Sequence, residues 1–384
     1  MFAPIMKRFL LISFFILPAG LLLSAQPALK LNYKRSSVYA GIEVGSKGVK
    51  MSLIEMDKTP GTTSEYSIVG DTSVNTDFIS FTPATFTSSL NAISGLYQTA
   101  LHFYHIPSNR IFTVISSGVK ISAEKSDKTP WIQTLIDSFK LRIQDTSRKV
   151  AVIDAAEEAR LSHLGIVPKS KRFTTFLIDI GSGNTKGGYF PNDNTDHIKL
   201  FTLSWGTQST ANAAIKRLDG DYSISNYNRQ LQRVLQGDAN KEITYAVNVS
   251  GAYNMSDNVA FSGGAAWATA TLLFPELTDD PVVPVTYEEV EKFNQKLYSD
   301  YNSFSEKELM KHFAKDKSIN KVAIAHAIKI VNKVFDQKAM LAASGLLLKI
   351  MRQFDGLYER KQFYLIKNGQ VGWISAYVNN NTGN

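Results

Sequence analysis

The chain of 384 residues contains no cysteine. That excludes thiolate nucleophiles, thiolate metal sites and disulfides, so its domains must rely on their packed cores. Beyond the first 25 residues no apolar run is long enough to cross a bilayer. Low-complexity linkers are missing too, which points to units joined closely with a cleft between them. No Ser/His/Asp arrangement is discernible, and Ser116-Ser117-Gly118 lacks the flanking pattern of a nucleophile elbow. The basic residues are scattered rather than striped, and no nucleic-acid-binding module is recognisable.

The start of the chain has a basic pair, Lys7-Arg8, an apolar stretch from Phe9 to Leu23 and a small-residue end at Ser24-Ala25. This is the pattern of a secretory signal cleaved after Ala25, and it implies a periplasmic or secreted protein. Fifteen apolar residues broken by Pro18 are short for a permanent span; a retained anchor is the alternative. Residues 26–384 then suffice for about two ordinary domains. The net charge of +8 falls to +6 without Lys7 and Arg8, a modest excess that suits a polyanionic ligand or an anionic surface. Self-association as a homodimer stays open.

One short phrase occurs twice, 136 residues apart. Ile42-Glu43-Val44-Gly45-Ser46-Lys47-Gly48-Val49-Lys50 aligns without a gap on Ile178-Asp179-Ile180-Gly181-Ser182-Gly183-Asn184-Thr185-Lys186. Each copy follows a β-prone apolar run and returns to apolar residues, so each reads as strand, tight Gly/Ser turn, strand. Glycine lets backbone come close to a ligand, and successive turn N–H groups form a nest for anions. A carboxylate at the strand end, Glu43 or Asp179, is well placed to hold a hydrated Mg²⁺ between protein and phosphate.

The rest of the pattern alternates strands and helices, an α/β architecture in two lobes. Strands are expected at 38–55 (a hairpin closed by Thr59-Pro60-Gly61), 110–116, 150–153, 173–180, 242–248 and 258–262. A polar stretch runs to about Thr87. Helices are expected at 88–105, 131–141, 157–164, 321–335 and 339–354, with capping boxes at Thr286-x-x-Glu289 and Ser305-x-x-Glu308. Tyr364 to Val378, turning at Asn368-Gly369, reads as a terminal hairpin. His102 and His105 lie three apart, but no third ligand is evident, and an ordinary amphipathic helix is the preferred reading.

The two repeated phrases resemble the phosphate-1 and phosphate-2 loops of the actin, hexokinase and Hsp70 superfamily. Val259-Ala260-Phe261-Ser262-Gly263-Gly264-Ala265 resembles its third, Gly-Gly loop. Between them, Ile153-Asp154-Ala155-Ala156-Glu157-Glu158-Ala159-Arg160 is similar to the Ile-Ser-Gly-x-Glu-Glu-Ala-Arg stretch of exopolyphosphatases and guanosine pentaphosphate phosphohydrolases, the Ppx/GppA family. A strand ending near Lys120 corresponds to a segment where that family has an arginine, and Leu203-Ser204-Trp205-Gly206 matches its Leu-x-x-Gly.

The resemblance implies a two-lobed actin-like ATPase (ribonuclease H-like) α/β fold, with duplicated mixed sheets flanked by helices and an interlobe cleft. Lobe I would span 38–168 after a lead-in at 26–37, and lobe II 169–384. It implies hydrolysis of phosphoanhydride bonds in polyphosphate or a nucleotide polyphosphate, with Mg²⁺. Glu158 would orient or activate water. Gly45, Ser46, Lys47, Lys120, Gly181, Ser182, Gly183, Asn184, Thr185, Lys186, Gly263 and Gly264 would bind phosphate, and Glu43 and Asp179 the metal. Arg160 reads as a structural partner of a carboxylate.

This sequence also departs from the family. Glu43 stands for Asp, Ser46-Lys47-Gly48 for Ser-Asn-Ser, and Lys186 for the glutamate that ends the second loop. Lys47 and Lys186 add phosphate grip but remove metal-binding capacity. A non-catalytic phosphate-chain binder or scaffold of the same fold is therefore an alternative. A secreted nucleoside di- or triphosphatase is a further one, disfavoured by the absence of cysteine.

Overall fold

The computed structural model describes residues 29–58, 66–251, 256–316, 318–355, 360–369 and 372–382. The stretch read as a secretory signal and the turn expected at Thr59-Pro60-Gly61 lie outside them. The described strands are β1 (Ser36–Val44), β2 (Gly48–Asp57), β3 (Tyr66–Asn75), β4 (Ile111–Ile115), β5 (Val150–Val152), β6 (Thr175–Ile180), β7 (Thr185–Tyr189), β8 (Lys199–Leu203), β9 (Asn258–Gly263), β10 (Val282–Val285) and β11 (Gln362–Ile366). They form one sheet in the order β3-β2-β1-β4-β5 and a second in the order β10-β11-β9-β6-β7-β8.

The two sheets share one topology. In the first, β1, β2 and β3 are an antiparallel meander, with β4 and then β5 added parallel on the other side of β1. In the second, β6, β7 and β8 form the meander, and β9 and β11 are added in parallel. The repeat in the sequence is thus the central hairpin of each sheet, and its register is the same in both copies. Glu43 lies opposite Lys50 across the first hairpin, and Asp179 opposite Lys186 across the second.

Strand alternation decides which way the hairpins present their polar groups. On β1, Ala40, Ile42 and Val44 are buried in a core with Leu90, Ile93 and Leu96 of helix Pro83–Gln98 and Leu135 and Phe139 of helix Thr129–Arg142. Tyr39 and Glu43 therefore share the opposite face. On β6, Phe176, Ile178 and Ile180 belong to the large core of the second half, where Leu341, Leu346 and Leu347 of helix Gln337–Met351 are fully buried. Leu177 and Asp179 share the other face, and Leu177 packs there with Ile166 and Val167, which end helix Ala155–Ile166. Both repeated carboxylates thus belong to the faces turned away from the two main cores.

The structure corrects several expectations. Glu242 to Asn248 is not a strand but lies within helix Asp238–Ser250, because Ala239, Ile243 and Val247 recur every four residues on one buried face. The polar stretch after the first hairpin contains β3, an edge strand that is exposed over half its length. Lys120 does not follow a strand end; β4 stops at Ile115, and Lys120 sits in helix Ser117–Lys125. The terminal hairpin is strand β11 followed by helix Gly372–Thr382. That helix leaves the second sheet and packs in a core with Tyr39, Ile54, Val114 and Leu161, burying Trp373 and Ile374. Glycine makes the approach feasible: a Cβ on Gly165 would lie 1.7 Å from the Gly372 carbonyl oxygen. The last helix therefore belongs with the first sheet, and the chain crosses the cleft once more than its sequence suggests. His102 and His105 do not share a helix face, since the helix opens into a wider turn at Thr99–Phe103 and His105 has φ 54°.

Candidate active site

The two Gly/Ser turns are built alike. Gly45 N–H donates to the Gly48 carbonyl at 2.8 Å, and Gly181 N–H to that of Asn184 at 3.0 Å. They border one cleft of about 590 Å³, shared with Ser116, Gly118, Glu158 and the Gly263-Gly264 pair. A larger cavity of about 870 Å³ beside Thr286 and Lys361 contains none of these groups. Gly263 has φ 88°, and a Cβ there would lie 2.3 Å from the Ile180 carbonyl and 2.9 Å from Asp179 Oδ1. Only glycine lets β9 pass this closely behind the second turn.

The second turn is pinned from behind. Thr207 N–H donates to Gly181 O at 2.9 Å and Gln208 N–H to Ser182 O at 2.8 Å, so the first N–H groups of helix Thr207–Ile215 are spent on the turn rather than offered to a ligand. Gly206 permits that contact, because a Cβ on it would fall 2.6 Å from Gly181 O and from Asn184 N. Thr185 is fully buried and donates to the Trp205 carbonyl at 2.7 Å. It supports the turn and does not line the cleft. Ser182 and Gly183 are exposed at its tip.

Helix Ala155–Ile166 carries Glu158 between the two turns. Asp154 caps it, accepting from Glu157 N–H at 2.8 Å. Glu157 faces outward and receives Arg160 through two bonds of 2.8 and 2.9 Å, the structural pairing expected for that arginine. Glu158, one residue on, points inward and is only 6% exposed. Its Oε2 accepts the Ser117 N–H at 2.9 Å, at the start of helix Ser117–Lys125, where the macrodipole favours an anion. Its Oε1 lies 2.7 Å from Lys186 Nζ. Burial alone would raise the Glu158 carboxyl, but the Lys186 ammonium and the Ser117 donor outweigh it and hold it below the usual carboxylate range.

Lys186 also lies 3.7 Å from Asp179 Oδ2. Burial alone would lower its ammonium, but Glu158 and Asp179 reverse that and keep it charged well above the ordinary lysine range. Asp179 Oδ1 accepts the Ser262 hydroxyl at 2.9 Å. Glu43 Oε2 accepts the Trp373 indole N–H at 3.0 Å. Burial pushes the Glu43 carboxyl up, and Glu158 adds to this against the opposing charges of Lys50 and Lys186. Two neighbouring carboxylates are therefore driven in opposite directions by their surroundings.

The residues do not fit a divalent cation held by protein carboxylates. An ammonium already stands between Glu158 and Asp179, and one oxygen each of Asp179 and Glu43 is engaged by a hydrogen-bond donor. Among the described residues no group of three His, Asp or Glu side chains is arranged to hold a metal ion.

Gly45, Ser46, Lys47, Gly181, Ser182, Gly183, Asn184, Lys186, Gly263, Gly264, Glu43, Asp179 and Glu158 are thus brought together around one cleft. Lys120 does not line it. Lys47 is exposed at the rim and turned to Asp77 at 2.6 Å. Sequence reasoning missed three contributors: Ser117 N–H, Ser262 and Trp373. Ser262 stood inside the Gly-Gly string, whereas the other two act through tertiary contacts that no local pattern announces.

Two lobes of one mixed-sheet topology, each turning a Gly/Ser hairpin into a shared cleft, define the actin-like ATPase fold. Within that fold the chain is similar to solved Ppx/GppA phosphatases. The Aquifex aeolicus member of the Ppx/GppA family is 14% identical, with a TM-score of 0.58 over 90% of this chain and 99% of that one. A type II variant of the Aquifex aeolicus Ppx/GppA phosphatase is 15% identical, with a TM-score of 0.56 over 88% and 98%. An exopolyphosphatase from Cytophaga hutchinsonii is 14% identical, with a TM-score of 0.53 over 89% and 98%. At these identities the likeness is one of fold. The sequence matches no protein-family model and no curated protein. No helix among the described residues is long and apolar enough to cross a membrane.

Proposed function

We propose that the protein hydrolyses phosphoanhydride bonds of a polyphosphate-like chain, inorganic polyphosphate or a nucleotide polyphosphate. The observation that carries this reading is the position of Glu158, inward-facing in a cleft bordered by two equivalent Gly/Ser turns. The fold shared with Ppx/GppA phosphatases supports it. We place this activity in the periplasm or outside the cell, a reading that rests on the Lys7-Arg8 and Phe9-to-Leu23 pattern alone. Inorganic polyphosphate or external nucleotides are then the accessible substrates.

In this reading the turn N–H groups and Lys186 hold the terminal phosphates, and Glu158 accepts a hydrogen bond from the attacking water. Phosphoryl transfer through a loose transition state asks mainly for positioning and charge stabilisation. A carboxylate held below the usual range suits that role better than full proton abstraction. The water oxygen bonds to the terminal phosphorus as the bridging P–O bond breaks. The electron pair stays on the shortened chain, and the water's proton passes to the products.

A second reading, binding of the phosphate chain without turnover, is favoured by the Lys186–Glu158 pair, which makes Glu158 a weak base. Orthophosphate release from polyphosphate, ATP and GTP, with Glu158→Gln as control, separates the two. Release by the wild type alone supports hydrolysis. A rise in thermal midpoint with polyphosphate but no release from any substrate supports binding.

A further inference from the structure

The charges that line the cleft cancel. Glu43, Asp71, Glu158 and Asp179 are matched there by Lys47, Lys50, Lys186 and Lys367. A hydrated Mg²⁺ carried on a phosphate chain still needs one or two carboxylates whose charge is not already compensated. Here the most deeply placed cation belongs to the chain itself. Lys186 is 8% exposed, 2.7 Å from one carboxylate and 3.7 Å from another, and both carboxylates come from elements with fixed positions. Glu158 is on a capped helix and Asp179 on a central strand paired on both sides.

The geometry also explains why the ammonium stays. Lys186 and Asp179 face each other across the β6–β7 hairpin, so the lysine stem emerges directly beside the acid. A dication placed between Asp179 and Glu158 would meet a positive charge at hydrogen-bonding distance. Expelling that charge would bury an ammonium without partners, a heavy cost. Lys47 and Lys367 are differently engaged, with Asp77 and with the Leu277 carbonyl. Lys186 is the cation held among the acids at the centre.

We infer that Lys186 stands in for a divalent cation in this cleft, so that the ligand is a phosphate chain free of metal, gripped by the ammonium and the turn N–H groups. The inference rests on the reading of the cleft as a phosphate-chain site. It predicts binding that is independent of Mg²⁺ and a wild-type protein with no divalent-ion site of its own.

The test uses the full chain and two readouts: calorimetric titration with tripolyphosphate in EDTA and in Mg²⁺, and Mn²⁺ uptake followed by electron paramagnetic resonance. The wild type should bind tripolyphosphate in EDTA within about threefold of its affinity in Mg²⁺ and take up no Mn²⁺. Lys186→Glu should lose about tenfold or more in EDTA, regain affinity in Mg²⁺ and bind Mn²⁺. Should that variant fail to fold by circular dichroism, Lys186→Met is read instead, with the same loss in EDTA expected. Wild-type binding that appears only with Mg²⁺, or Mn²⁺ uptake by the wild type, overturns the inference and leaves the phosphate-chain reading intact. Absence of tripolyphosphate binding in both buffers overturns that reading and the inference with it.

Discussion

Lys186 and Glu158 form a buried ion pair, Nζ to Oε1 2.7 Å, that joins the second half of the chain to the first across the cleft. Such a pair is worth little against a well-packed apolar replacement, but removing one partner strands the other. Lys186→Met should therefore lower stability by about 3 kcal/mol in urea unfolding. Glu158→Gln should cost less, because Lys186 keeps Asp179. The double variant should recover part of the Lys186→Met loss; additive losses would show that the pair does not couple.

The same region sets an acid limb of stability. His163 is fully buried, and burial lowers its imidazole to about 4. Its folded pKa lies below the unfolded one, so the unfolded state binds the proton first, and stability falls as pH drops from about 6.5 towards 4. The loss should approach 3 kcal/mol, on the order expected for a shift of this size. Glu158, also held low, adds a further loss only below the ordinary carboxylate range. Urea midpoints of wild type and His163→Gln should converge between pH 6.5 and 4, over the range set by the lowered imidazole; parallel profiles would remove His163 as the cause.

Gly206 tests whether the second turn is preformed. A Cβ there meets backbone atoms of the turn at 2.6 Å, with no flexible side chain to yield. Gly206→Ala should weaken tripolyphosphate binding by about tenfold or more. Gly95, exposed on a helix with nothing within 4 Å of where a Cβ would stand, is the control. Gly95→Ala should gain about 0.5–1 kcal/mol of stability and leave binding unchanged.

The last helix is a structural part of the first sheet's core. Ile374→Ala, at a fully buried position, should cost about 2–5 kcal/mol. Trp373→Phe keeps most of the ring packing and removes the donor to Glu43, a loss of about 1 kcal/mol. Equal and negligible effects in denaturant melts would mean that the helix is not docked.

How much of this was legible beforehand follows from where each signal resides. The repeated hairpins were readable because a Gly/Ser turn between alternating strands is a local pattern, and the structure gives both copies one register. Glu158 and Lys186 were visible as candidates, yet their contact was not. They lie 28 residues apart in different lobes, and only the packing of helix Ala155–Ile166 beside β7 brings them together. Trp373 was hidden by its neighbours: Phe363 to Ile366 and Asn368-Gly369 suggest strand and turn, and the following helix is explained by burial against a distant core. Glu242 to Asn248 misled for a related reason, since its β-branched residues are placed at helical spacing with Ala239.

The central claim is that Glu158 serves hydrolysis at a phosphate-chain site. The most direct measurement is the rate of orthophosphate release from long-chain polyphosphate by wild type and Glu158→Gln, with tripolyphosphate affinity measured in parallel. The account predicts release by the wild type, a fall of about 100-fold or more in the variant, and affinity retained in both. No release by the wild type, or equal release by the two proteins, would contradict it.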